Sequence, residues 1–257
     1  MVPYRLLALD LDGTLLTDDK RISPTDRKWI GRATDAGVMV IIASGRGRQS
    51  VRAFRKELGL HTPMVLVNGG EVWGRSGELL ERSIIPRKDI RTLKEIAEHY
   101  GADYWGCDVN GLVRRHHWTE KMGSRNWLKF GIRDPYVQVL DRVKKRICSL
   151  HGLSMTSSAL NVIEVGVKGK SKATGVRKVC EHVGIKMEEV MAIGDNWNDF
   201  PLIRAAGFGV AMGNAIPQLK DVAKAVTDSN EQSGVGKAIE KYLLRGDVQK
   251  TGENGNR

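Results

Sequence analysis

The 257-residue sequence is poor in cysteine, with three in all, at positions 107, 148 and 180. An odd and widely spaced set fits neither a disulfide framework nor a zinc site, so a reducing cytoplasm is the expected setting. Long apolar runs are also missing: none approaches the roughly 20 residues that a helix needs to cross a bilayer. The opening "MVPYRLLALDLD" has no basic leader and no cleavage site, and Asp10 breaks its apolar run too early for a signal peptide. Internal repeats and low-complexity tracts are absent, which excludes solenoids and biased linkers.

What is present suffices for a substantial core. The chain is 41% hydrophobic and 28% charged, enough for one large domain or two modest ones. The formal net charge of +11 favours anionic partners. Between Arg82 and Leu160 stand 15 Lys or Arg against 8 Asp or Glu, together with Trp105, Trp118, Trp127 and four of the six histidines. Basic residues there are scattered rather than striped and match no nucleic-acid-binding motif, so a small anionic ligand is expected rather than nucleic acid or membrane.

Strand and helix patterns alternate at both ends of the chain. "YRLLALD" reads as a buried strand, and "SPTDRKWIGRATDAG" as a helix capped by Ser23, with Pro24 at its first position and Gly37 beyond its end. "VMVIIA" and "PMVLVN" are further strands, with a helix over about 49–58 between them. Past Arg82 the texture changes to a helix near 88–100, a hairpin signalled by Asn110-Gly111, a helical stretch over 120–130 and strands in "LSMTSS" and "NVIEVGV". Alternation then resumes with a helix over 173–183, "VMAIG", a helix near 199–206, "FGVAM" and a final helix over 236–244. The expected fold is therefore α/β, a Rossmann-like doubly wound parallel sheet formed by 1–81 and 161–257, with an inserted α+β cap at 82–160.

Three apolar runs finish in chemically loaded residues. "LLALD" leads into Asp10 and Asp12, "VMVIIA" into Ser44, Gly45 and Arg46, and "VMAIG" into Asp195, Asn198 and Asp199. Ligands of open parallel sheets bind beyond the carboxyl ends of the strands, so these clusters converge if the strands are neighbours. Singly, each has an ordinary reading: Asp-Gly is common turn chemistry, and "SGRG" suits a strand-to-helix turn. Together, four carboxylates require a cation, and oxygen ligands without histidine or cysteine suit a hard ion such as Mg²⁺. The glycine and glutamate positions of a calcium-binding EF-hand loop are not matched. Lys172 opens a helix after an apolar strand and can reach the same edge, whereas Trp197 can line the entrance or pack beneath its loop, the second being the expectation.

In this order, "DLDGTLL", "ASGR", Ser171-Lys172 and "GDNWND" resemble the four motifs of the haloacid dehalogenase (HAD) superfamily of phosphotransferases over nearly the whole chain. "VNGG", "GVAMGNA" and the position of the insertion look like the Cof-type branch, subclass IIB, with a compact cap that is also similar to shorter phosphoglycolate phosphatases. Ser44 replaces the more frequent threonine, Ala173 a glycine, and "NGG" the usual "NGA"; none of these changes removes a reactive group.

The resemblance implies a Mg²⁺-dependent phosphatase of a small phosphorylated metabolite, of the sugar phosphate or phosphoglycolate class, acting through an aspartyl-phosphate. Asp10 would be the nucleophile and Asp12 the acid and base. Ser44, Gly45, Lys172 and Asn198 would hold phosphate, while Asp10, the Asp12 carbonyl, Asp195 and Asp199 would hold the metal. Arg46, Asn68 and Gly69 would face the leaving group, with Arg114, Arg115, His116, His117, Trp118 and Arg125 as cap candidates. A phosphomutase with the same cap is the nearest alternative, and the expected assembly is a monomer or homodimer.

Overall fold

The computed structural model describes residues 2–244. Leu6–Leu9 form β1, a wholly buried strand. The next helix, α1 (Pro24–Asp35), starts where Ser23 Oγ accepts the Asp26 amide at 3.0 Å, and Pro24 occupies a position that has no intrahelical donor to lose. Past its end Gly37, at φ +84°, turns the chain into β2 (Met39–Ala43). Then come α2 (Arg48–Glu57), β3 (Met64–Leu66), and an antiparallel hairpin of β4 (Glu71–Trp73) and β5 (Leu79–Arg82).

The second unit contains α3 (Arg87–His99), β6 (Asp103–Asp108), β7 (Gly111–Arg114), β8 (Trp127–Arg133), α4 (Val137–Ile147), β9 (Leu153–Thr156) and β10 (Val162–Val167). The chain returns through α5 (Lys172–Val183), β11 (Val190–Gly194), α6 (Phe200–Ala205), β12 (Phe208–Ala211), α7 (Pro217–Val222), β13 (Ala225–Val226) and α8 (Gly234–Ala238).

The main sheet has the order β13-β12-β11-β1-β2-β3-β4-β5. It is parallel from β13 to β3, and β4 and β5 close one edge antiparallel. In β1, Leu9 lies opposite both Ile193 and Ile42, so the carboxyl ends of β11, β1 and β2 finish side by side. The doubly wound α/β core expected from the alternation is present.

The cap is a separate antiparallel sheet of order β7-β6-β8-β10-β9. On one face Ile90, Leu93, Phe130, Ile132, Val143 and Ile163 form a second core with α3 and α4. Because β10 belongs to this sheet, the cap runs to Val167 and not to the composition boundary at 160. Residues 120–130 are not helical throughout: a short 3₁₀ turn covers Glu120–Ser124, and Trp127–Arg133 is the central strand of the cap. Its first six residues are buried and residues 130–133 are paired on both sides, so the apolar–polar alternation that marks a half-exposed strand is missing from its sequence. The β4–β5 hairpin and α4 are further elements that the sequence patterning does not reveal.

Trp127 is fully buried and stacks on Trp118, with centroids 4.5 Å apart and planes inclined by 8°. Trp127→Ala should destabilise the cap by about 3–5 kcal/mol, read by circular dichroism as a lower urea midpoint; an unchanged midpoint would count against this packing.

Candidate active site

Strand geometry brings the acidic residues together. Asp10 leaves the end of β1 with its amide bonded to Ile193 O at 3.2 Å, and Asp195 follows Gly194 at the end of β11. Gly13, at φ +77°, turns the chain back after Asp12; a Cβ on it would lie 2.4 Å from Asp195 Oδ2, so bare backbone is required there. Carboxylate oxygens of Asp10, Asp195 and Asp199 lie within 4.8 Å of one another, and all three residues are buried.

Lys172 enters from the other side. The Ser171 side chain caps α5, and the first helical residue carries a fully buried ammonium 2.5 Å from Asp10 Oδ1 and 2.7 Å from Asp199 Oδ1. Thr14 Oγ1 donates to Asp195 Oδ1 at 2.9 Å. The other oxygen of Asp199 accepts the amides of Asp195 and Asn196 at 3.1 and 3.2 Å, so this carboxylate also shapes its own loop.

The electrostatics follow from burial. Desolvation, then the charges of Asp199 and Asp195, raise the Asp10 pKa well above the usual carboxylate range against the pull of Lys172. Desolvation and Asp199 push Asp195 up to about 7. For Lys172, burial works against the charge, but Asp10 and Asp199 outweigh it and hold the ammonium protonated. With all three acids ionised, Lys172 balances one of their three charges. The remaining charge equals that of one divalent cation, and a hard-oxygen cluster under this strain fits such an ion.

Asp12 has a different environment. Arg46 grips it with Nε at 2.6 Å and Nη2 at 2.7 Å, and Lys20 stands 2.9 Å away. Burial alone would raise its pKa, but hydrogen bonds from Arg46 and Lys20 bring it down to about 2. Asp12 therefore enters the cluster through its place in the chain, while its carboxylate faces Arg46.

Asp10, Asp12, Ser44, Gly45, Arg46 and Asn198 line one cavity of about 630 Å³, closed from the cap by Trp105, Arg114, Arg115, His116, Lys129 and Glu164. Lys129 Nζ bridges the two units, bonding Gly45 O at 2.7 Å and Glu164 Oε1 at 2.6 Å. The other Glu164 oxygen accepts Asn68 Nδ2 at 2.7 Å, and Asn68 Oδ1 accepts Asn198 Nδ2 at 3.3 Å. Asn198 Oδ1 is buried without a partner among the described residues, leaving an acceptor for a ligand or a bound water.

Other expected residues lie elsewhere. Asn68 lines not this cavity but a larger one of about 890 Å³, and Gly69 borders neither; it abuts Ser171, whose carbonyl oxygen a Cβ on Gly69 would meet at 2.1 Å. Trp118 belongs to the cap core and Arg125 pairs with Asp108 at 2.6 Å. Trp197 does not pack beneath its loop: it is 43% exposed and faces the larger cavity. Lys129 and Glu164 are the residues that sequence reasoning missed. No pattern along the chain marks them, because β8 is buried along most of its length and lacks the alternation of a half-exposed strand.

A family model described as haloacid dehalogenase-like hydrolase matches residues 7–134 and 117–239. A 5-amino-6-(5-phospho-D-ribitylamino)uracil phosphatase of Bacillus subtilis is 37% identical over 243 residues, 95% of this chain and 97% of that one. A phosphoglycolate phosphatase of Methanopyrus kandleri is 32% identical over 244 residues, 93% and 97% respectively. Among solved structures, a phosphatase of the haloalkanoate (HAD) enzyme superfamily from Bacteroides thetaiotaomicron has a TM-score of 0.80 and 27% identity, covering 93% of this chain and 95% of that one.

In the metal-free protein, folded Asp195 keeps a proton between its ordinary 3.8 and about 7, where the unfolded chain has released it. Its contribution to stability thus falls as pH rises through that window, and a bound cation cancels the loss. Mg²⁺ should raise the Tm more at about pH 8 than at about pH 5.5, measured by differential scanning fluorimetry against EDTA; equal shifts would argue against a cation at these acids.

Proposed function

Because the chain belongs to the haloacid dehalogenase-like hydrolases and is a phosphatase acting on small phosphorylated metabolites, we propose that it hydrolyses a phosphate monoester with Mg²⁺, using Asp10 as nucleophile. The observation that carries this reading is Asp10, which lines a cavity shared by core and cap, standing beside Lys172, Asp195 and Asp199. Asp10, Asp195 and Asp199 would hold the cation together with the Asp12 carbonyl. When bound, it supplies positive charge that keeps the acids ionised and draws charge from a phosphoryl oxygen.

A carboxylate oxygen of Asp10 attacks phosphorus as the ester P–O bond breaks, leaving the phosphoryl group on Asp10 and the electron pair on the departing oxygen. Asp12 gives that oxygen a proton, then removes one from the water that releases phosphate and regenerates Asp10. Arg46 and Lys20 together hold Asp12 below the usual carboxylate range in the empty site, so its role as acid calls for a substrate that loosens these contacts. This gives Arg46 its substrate contact and makes Asp12 competent only when the site is filled. Ser44 Oγ, the Gly45 amide, Lys172 and Asn198 hold the equatorial oxygens.

The relatives named above act on esters with and without a ring, which leaves both sugar phosphates and phosphoglycolate as candidates. A phosphomutase would retain the phosphoryl group on Asp10 and return it to a sugar. Free thiols at Cys107, Cys148 and Cys180 support a cytoplasmic setting, and no described helix is long and apolar enough to cross a membrane.

Phosphate release from a metabolite panel should require Mg²⁺, stop with EDTA and fall by ~10³-fold or more in Asp10→Asn. Wild-type turnover by Asp10→Asn would overturn the assignment, and isomer formation without free phosphate would favour the mutase.

A further inference from the structure

We propose that the inward face of the cap is a subsite for a flat, hydrogen-bonding ring, so that preferred substrates are phosphate esters of ring-bearing alcohols. This rests on the phosphatase reading and names the leaving group of the same site.

The first support is register. Trp105 on β6 lies opposite Gly131 on β8, and Gly131 lies opposite Glu164 on β10. On its other side Trp105 is paired with Arg114 of β7. Residues directly opposite in adjacent strands share a face. Guanidinium, indole, bare backbone and carboxylate therefore form one row across four strands, and Lys129 adds an ammonium on the same face of β8.

The second support is the bare position in the middle of that row. A Cβ on Gly131 would lie 2.1 Å from Trp105 Cε2 and 2.3 Å from Cζ2, so the glycine is what allows the indole to lie flat against β8. The half-buried ring then fronts the cavity that contains Asp10 and Ser44. An aromatic face opening on a cavity is a stacking surface for another flat ring.

The third support is polar chemistry at the rim. Lys129 Nζ lies over the Trp105 ring, 4.9 Å from its centroid, and two of its bonds go to Glu164 and Gly45. A carboxylate has about four acceptor sites, of which Lys129 and Asn68 engage two on Glu164. Spare acceptor capacity thus remains beside the indole, suited to a ring edge bearing an N–H or O–H. Burying the Lys129–Glu164 pair is costly, and the cap's own core lies on the opposite face of its sheet. The cavity volume of about 630 Å³ lies in the range of small-ligand sites and exceeds what a phosphate with a two-carbon arm occupies.

Calorimetric titration of the Asp10→Asn protein with Mg²⁺ present tests the subsite, using uridine 5′-monophosphate, pyridoxine 5′-phosphate and glycerol 3-phosphate. Phosphate release by the wild type is measured on the same three. Both ring esters should bind at least tenfold more tightly than glycerol 3-phosphate. Adding Trp105→Ala should cut that ratio at least fivefold, Trp105→Phe should retain most of it, and Glu164→Gln should reduce it without replacing the indole. Should Trp105→Ala fail to fold, the Phe and Gln variants carry the test. Equal affinity for all three esters, or a ratio unmoved by Trp105→Ala and Glu164→Gln, overturns the subsite. Tight ring binding without phosphate release by the wild type would overturn the phosphatase reading and leave the subsite standing. Release from all three esters with equal kcat/KM would do the reverse.

Discussion

The ammonium of Lys172, shared between Asp10 and Asp199 in a place with almost no water, is the contact around which the catalytic edge is organised. Like charges held this close would separate if the backbone allowed it. They cannot, because Asp10 and Asp195 leave neighbouring parallel strands whose registers are fixed by the ladders on either side of β1. Rigid secondary structure thus sustains an electrostatic imbalance that a loop would relax, and a cation held among the three acids would relieve it.

Core and cap divide the chemistry. The core contributes carboxylates, a hydroxyl and backbone donors around the reacting group. The cap contributes one wall, in which the Lys129–Glu164 pair makes hydrogen bonds to Gly45 and Asn68. Gly45 neighbours Ser44, and Asn68 contacts Asn198, so closure is felt by the loop after β2 and by the loop after β11. The seam is not polar alone: Cys107 and Leu128 of the cap sheet are buried in the hydrophobic cluster of the core, so opening the cap would expose them.

The meeting of the strand ends was largely legible in the sequence because each part is local: an apolar run of strand length followed at once by an acidic or hydroxyl residue. Asp10, Ser44 and Asp195 needed only the assumption that their strands are parallel neighbours. The cap was less legible for the opposite reason. Lys129 and Glu164 sit in the interior of strands, and their approach to the core depends on sheet order and on which face turns inward. The central strand Trp127–Arg133 is buried on both faces, so its period could not be told from that of a helix. The partnership of Asp12 with Arg46 was equally hidden, since it joins side chains from two strand ends and carries no pattern along the chain.

Asp199 uses one oxygen for two backbone amides of its own loop and the other for Lys172. The turn after β11 is therefore wound around its own carboxylate and stands without help from any guest. Such a floor is preorganised: its dipoles are already aimed, and little reorganisation energy is spent as guests come and go.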